Sequence, residues 1–208
     1  MNLEKWLEFY TQILKDFNFS KDEDELAAVL MYKLGKEKLL DSSILLEKIK
    51  GEDVMVIGPI LTEGDFEKIK KFQGVRITAG KALIEVANHI TPEIHVTDME
   101  EDVETLLKVQ KRGCTLVLHA HGDNIDRIKS IVPKIENFIG TTQSIPFDRI
   151  HNFGGFTDGD RAVCMAKEMG AKSIKLIGFD FERAHGIKKR KLEWAKKILT
   201  HEGIIHDG

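Results

Sequence analysis

The stretch of the chain richest in chemistry is His151-Asn152-Phe153-Gly154-Gly155-Phe156-Thr157-Asp158-Gly159-Asp160-Arg161. Gly154 and Gly155 let a backbone come close to a ligand, and their amides can form an anion-binding nest. A helix is expected to begin directly afterwards, and free amides at a helix start favour negative charge. Asp158 and Asp160 stand at that same start. Two carboxylates there would repel a phosphate unless a divalent cation bridged them, which Mg²⁺ does with one or two carboxylates, water and substrate phosphates. The plain structural alternative is a capping box of Thr157 with Asp160. Capping accounts for Thr157, but not for Gly154, Gly155, Asp158 and Arg161 together.

Other residues fit the same chemistry or compete with it. Asp98 follows a strand-like run directly, where an acidic residue serves either as a metal ligand in phosphoryl transfer or as a helix cap; Glu100 and Glu101 suit the acidic first turn of a following helix. His119, His121 and Asp123 form a His-x-His-x-Asp pattern. Residues two apart on a strand share a face, so the imidazoles could bind one transition metal, as in a metal-dependent hydrolase. Alternatively, one histidine packs in the sheet and the other bonds a neighbouring loop; Asp123 and Asn124 can simply cap a helix. Lys81 and Arg161, with Arg183, His185 and Lys188 to Lys191, could hold triphosphate oxygens, although a solvated basic helix face explains much of that cluster. Phe153 and Phe156 could stack on a flat heterocycle or enter the core. Asp180 could hold metal, Gln143 could read a base edge, and Cys164 reads as a small buried hydrophobe. The chain contains neither Gly-x-x-x-x-Gly-Lys-Ser/Thr nor Gly-x-Gly-x-x-Gly, which argues against a P-loop or standard dinucleotide site.

These residues need a frame that gathers them. Short apolar runs at Val54–Ile57, Val75–Ala79, Ile94–Thr97, Thr115–His119, Phe138–Thr142 and Ile174–Gly178 read as strands apolar on both faces. Between them lie helical patterns near Gly64–Phe72, Lys81–His89, Glu101–Lys111, Asn124–Val132, Asp158–Met169 and Lys188–His201. This alternation predicts an α/β fold, a doubly wound, mainly parallel sheet with helices on both faces, spanning residues 51–208. Residues 1–50 read as an α-helical extension. Its first helix carries Trp6, Phe9, Ile13, Leu14 and Phe17 on one face. A second runs from Asp22 to Leu34, capped by Ser20 or Asp22, with Leu26, Val29, Leu30 and Leu34 inward; a third fits Lys36–Lys50. In such sheets ligands bind at the carboxyl ends of the strands, and Gly58, Gly80, Asp98, His119, Gln143 and Asp180 all lie at such ends.

Composition narrows the function classes. The 208 residues carry 31 basic and 34 acidic side chains, a formal net charge of −3 that offers no footprint for nucleic acid or an anionic membrane. No apolar run approaches the about 20 residues of a membrane span, and the first residues, MNLEKWLEFY, lack the apolar core of a signal peptide. Two cysteines exclude a disulfide framework and a four-cysteine zinc site. The expectation is a cytoplasmic protein that acts on small molecules, with a homo-oligomer possible.

His119-Ala-His-Gly-Asp-Asn124, Gly140-Thr-Thr-Gln143, Asn152 to Ala162 and Gly178-Phe-Asp-Phe181, followed by Lys188 to Leu192, occur in that order. Together they resemble the archaeal 6-hydroxymethyl-7,8-dihydropterin pyrophosphokinases over roughly residues 50–200, a family similar in fold to the catalytic domain of thiamin pyrophosphokinase. The resemblance implies transfer of pyrophosphate from ATP to the pterin, releasing AMP. It implies Mg²⁺ held by Asp98 and Asp158, with Asp123, Asp160 or Asp180 assisting. Gly154, Gly155, Thr157, Lys81, Lys188 and Arg161 would then contact phosphates, Asn124 or Gln143 would read the pterin, and His119 or His121 would orient or deprotonate the hydroxyl. The sequence departs from the family pattern at Ile60, at Lys81, where an acidic residue is usual nearby, and at Glu100, which replaces an aspartate. Besides the hydrolase, a non-catalytic pterin- or nucleotide-binding module is the other alternative.

Overall fold

The side chains of the strands divide by alternation, and that division dictates the layers. In the computed structural model, which describes residues 1–205, Val54 and Val56 point to one face of the sheet while Met55 and Ile57 point to the other. Likewise Val117 lies opposite Leu116, Leu118 and Ala120. Such strands must be covered on both sides. The described residues form seven strands: β1 (Asp53–Ile57), β2 (Val75–Ala79), β3 (Ile94–Thr97), β4 (Thr115–Ala120), β5 (Ile139–Thr142), β6 (Ile150–His151) and β7 (Ser173–Ile177). All pair in parallel, in the order β6-β5-β4-β3-β2-β1-β7. The doubly wound α/β frame is thus as the alternation predicts. β6 is the strand that the sequence reading lacks; two residues give no periodicity to detect.

Helices α4 (Glu63–Lys71), α5 (Ala82–Val86), α6 (Val103–Lys111) and α7 (Ile125–Ile131) connect successive strands along one face. Helix α8 (Asp158–Glu168) crosses the other face on the way from β6 to β7, packing on β1, β2 and β3. Helix α9 (Gly186–His201) lies beside it. The helix expected at Glu101 starts later because Asp102 is its cap, accepting from Thr105 N at 2.8 Å.

The amino-terminal helices are woven into these layers. Helix α1 (Leu3–Phe17) packs on α9 and Phe156 through Trp6, Phe9, Tyr10 and Ile13. Helix α2 (Lys21–Gly35), capped by Ser20, lies over β4 and β5 beside α7. Its inward face is Asp24, Ala27, Ala28, Met31 and Gly35, whereas Leu26 is 58% exposed and Val29 and Leu34 are also outward. This corrects the expected inward stripe at Leu26, Val29 and Leu34, whereas Leu30 packs half-buried against the core as expected. Small residues let α2 lie close: a Cβ on Gly35 would stand 2.5 Å from the Phe138 ring. Helix α3 is confined to Ser43–Ile49 and not the full Lys36–Lys50. The chain before it leaves the helix so that Leu39 can bridge to Phe138, with Leu40 N donating to Phe138 O at 2.8 Å.

Candidate active site

The first turn of α8 is built by its own capping groups. Asp160 Oδ2 accepts from Phe156 N at 2.5 Å, and Oδ1 accepts from Thr157 N at 2.9 Å and from the Thr157 hydroxyl. The fully buried Asp160 is thereby engaged in the capping box through both oxygens. Gly155 has φ +92°, and a Cβ there would lie 2.5 Å from Arg161 N. Only glycine lets this loop fold back on the helix start. Gly154, at φ +81°, donates to Asn152 Oδ1 at 2.9 Å. With the turn held, Arg161 reaches Asp158 Oδ1 at 3.1 Å and Gln143 Oε1 at 3.5 Å, and its buried Nε has no partner in the protein.

At the end of β3 the backbone turns through Met99, at φ +66°. Thr97 Oγ1 fixes that turn by accepting from Met99 N at 2.8 Å and donating to Glu101 Oε2 at 2.6 Å. The turn presents Asp98, whose Oδ2 lies 3.3 Å from His121 Nε2. His121 Nδ1 accepts from Asp123 N at 3.2 Å, which assigns the proton of a neutral ring to Nε2. Burial opposes the charged form of Asp98, but the His121 hydrogen bond, Arg161 and Arg127 outweigh it and keep the carboxyl below its usual pKa. Asp158 goes the other way: burial and then the Asp98 charge push its pKa well up, against Arg161. Gly80, at φ +51°, admits this side chain, since a Cβ there would lie 2.7 Å from Asp158 Oδ2. Asp98 Oδ1 is buried without a partner. An ionised carboxylate with a free oxygen beside a second one penalised for charge suits a hard divalent cation.

His119 lies beside Arg161 at the end of β4. Thr141 Oγ1 donates to Leu118 O at 3.1 Å, so the contact at 3.0 Å to His119 Nδ1 must be a donation from the ring. Burial, then the positive charge of Arg161, hold its pKa well below the ordinary value. The ring is therefore neutral, with an unpartnered lone pair on buried Nε2. His119 borders a cavity of about 10 Å³ shared with Thr142, Phe153 and Arg161, the size of one water. The two histidine rings stand 6.0 Å apart and are engaged by different neighbours. Among the described residues no three His, Cys, Asp or Glu side chains converge as metal ligands.

Asp98, His119, His121, Asp158, Arg161 and Gln143 thus form one constellation over the carboxyl ends of β2 to β5. Other predicted residues lie apart or are otherwise engaged. Asp123 is exposed. Asp180 caps its own turn, accepting from Glu182 N and Arg183 N at 2.9 and 3.1 Å. Lys81 pairs with Glu100 at 3.1 Å, and Lys188 is exposed on the first turn of α9. Asn124 is a brace and not a free reader: its amide donates to His119 O at 2.7 Å and Asp98 O at 3.0 Å, and its oxygen accepts from His121 N. Gln143 Nε2 donates to Asp24 Oδ2 at 2.7 Å, which commits one of the two hydrogens of that amino group within the protein. Asp24, Thr97 and Glu101 escape sequence reasoning. Asp24 lies in an acidic first turn that reads as dipole compensation, and no local pattern reports a partner 119 residues away.

Comparison with known proteins covers nearly the whole chain. A model of the family described as 6-hydroxymethylpterin diphosphokinase MptE-like matches residues 31–186. Three curated proteins named 6-hydroxymethyl-7,8-dihydropterin pyrophosphokinase are similar. Those of Pyrococcus furiosus, Methanothermobacter thermautotrophicus and Methanocaldococcus jannaschii are 36%, 34% and 33% identical, over 96%, 96% and 97% of this chain and 93%, 94% and 95% of their own. By these matches, and with the motifs at His119, Gln143 and Asp158 gathered on one sheet edge, the chain belongs to the MptE-like 6-hydroxymethylpterin diphosphokinase family.

Proposed function

We propose that this cleft transfers the pyrophosphoryl group of ATP to the hydroxymethyl oxygen of 6-hydroxymethyl-7,8-dihydropterin and releases AMP. The observation that carries this reading is the opposed pair Asp98 and Asp158 beside Arg161, in a chain whose relatives bear the name of that activity. The residues fit Mg²⁺: Asp98 Oδ1 is unpartnered and Asp158 is destabilised as an anion by its neighbour. Asp98 and Asp158 would hold the ion, which supplies charge neutralisation to the phosphates and their alignment with the hydroxyl.

The remaining work falls to this chain's own groups. Through Nε2–H, His121 orients Asp98 and leaves the other carboxylate oxygen open. Arg161, braced by Asp158 and Gln143, supplies a fixed positive charge where negative charge spreads over the phosphoryl oxygens. A neutral His119 beside it adds no second positive charge to the site. Neither imidazole is a free base, because His119 is enclosed and both His121 nitrogens are engaged. A loose phosphoryl-transfer transition state demands little from a base and much from positioning and charge.

The test is nucleotide product analysis with ATP, Mg²⁺ and the pterin. Pterin-dependent AMP without ADP is the expected result. Binding of both compounds without turnover would overturn the reading in favour of a non-catalytic module. Tightly bound zinc or iron, with no AMP, would favour a hydrolase.

A further inference from the structure

We infer that Asp24, on the second amino-terminal helix, is a positioning residue that sets the orientation of Gln143 and, through it, of Arg161. The inference rests on the reading of the cleft as a pyrophosphoryl-transfer site. Asp24 is 2% exposed and lies outside the residues that the family model matches. Its carboxylate accepts three hydrogen bonds from three parts of the chain. Tyr10 Oη on α1 donates to Oδ2 at 2.6 Å, Gln143 Nε2 at the end of β5 donates to the same oxygen at 2.7 Å, and Gly122 N donates to Oδ1 at 2.8 Å. Burial and the bond to Asp24 raise the Tyr10 pKa, so the phenol keeps its proton and remains a donor.

Two arms of the site depend on those bonds. Gly122 opens the turn directly after His121, the residue that orients Asp98. A carboxylate can only accept, so Gln143 must present its amino group to Asp24 and its carbonyl to Arg161. Trp6 holds the same residue from the backbone side, with Nε1 donating to Gln143 O at 2.8 Å. The result is a polar relay, Asp24–Gln143–Arg161–Asp158, whose direction is set by the one group that cannot donate. A buried charged acceptor with three donors is well satisfied, so this direction is costly to reverse.

Asp24→Asn is nearly isosteric and tests the direction of the relay. Its oxygen can stay toward Gly122 N–H, and its amino group then faces Gln143. The Gln143 amide must turn round and present its own amino group to Arg161. We expect kcat to fall on the order of 10- to 100-fold, as for loss of a partner that orients an active-site group. The Asp24→Asn, Gln143→Glu double variant moves the charge one step along the relay. The introduced asparagine would donate to the introduced glutamate, which would in turn accept from Arg161, so kcat should recover most of the loss. Filling a structural gap would not produce that recovery. Independently, the Gln143 side-chain amide signal in ¹⁵N spectra should sit downfield and exchange slowly in the wild type, and move on Asp24→Asn. Should Asp24→Asn fail to fold, Gln143→Met, which leaves Asp24 in place, should lower kcat by a similar factor. Wild-type kcat in either single variant, or a double variant no better than Asp24→Asn, would overturn the proposal. A wild type that forms no AMP overturns the functional reading and the catalytic half of this one with it. The Gln143 signal still decides the contact itself, and a signal unmoved in Asp24→Asn overturns that too.

Discussion

His121 Nε2 lies 3.3 Å from Asp98 Oδ2, and this contact, with Arg161 and Arg127, holds Asp98 ionised while burial drives its neighbour Asp158 the other way. Asp98, with a proton donor beside it, stays ionised; Asp158, facing Asp98 across the site, is pushed toward its neutral form.

Asp158→Asn should therefore abolish turnover while stabilising the metal-free protein. A carboxyl whose folded pKa lies above its ordinary 3.8 binds more protons folded than unfolded. Its ionisation lowers stability as pH rises from about 3.8 through the raised value, and at neutral pH the asparagine avoids that penalty. Mg²⁺ should raise the Tm of the wild type and leave that of the variant unchanged. Thermal melts with and without Mg²⁺, beside an AMP assay, check both points. Activity near the wild-type level would remove Asp158 from the metal role.

His119 predicts acid sensitivity of the opposite sign. Its folded pKa lies below the ordinary 6.5, so the unfolded chain binds the extra proton. The stability tied to its neutral form is fully present above pH 6.5 and is lost as pH falls below that, at up to about 1.4 kcal/mol per pH unit. Urea melts between pH 7 and 5 should show a steeper loss in the wild type than in His119→Gln. Parallel curves would mean that the ring is not buried as described.

Gly155→Ala should break the start of α8. The added methyl would meet Arg161 backbone at 2.5 Å in a conformation with φ +92°, a cost on the order of 3 kcal/mol. Both denaturant stability and turnover should fall, whereas Gly64→Ala, inside helix α4 with nothing within 4 Å of the new Cβ, should leave turnover unchanged and raise stability by up to about 1 kcal/mol.

The frame of the protein was legible because buried parallel strands leave continuous Val and Ile runs, and the gathering of Asp98, His119 and Gln143 followed from strand ends, while Asp158 was read from a helix start. What the sequence hid depends on tertiary partners. Asp160 reads like Asp158 in the chain, but only one of them faces the cleft. In α2, Leu26, Val29 and Leu34 are the more hydrophobic residues, yet close packing on β4 and β5 selects Ala27, Ala28 and Met31. Leu26→Ser should therefore alter stability by less than about 0.5 kcal/mol, and Ala28→Leu should cost about 1–3 kcal/mol by overpacking. Chemical denaturation of the two variants distinguishes the faces.

The strand order has a consequence for how the protein is made. β1, the first strand synthesised, ends between β2 and β7, and Ser173 of β7 is bonded to Asp53 of β1 across 120 residues of chain. At about 5–20 residues per second, a ribosome needs roughly 6–24 s to deliver that partner. Through that interval one edge of β1, apolar from Val54 to Ile57, has no neighbour, and for most of it α8, which ends at Glu168, has not been made to cover it. A nascent chain stalled before Ser173 should therefore be the species that chaperones hold and that aggregates when they are scarce.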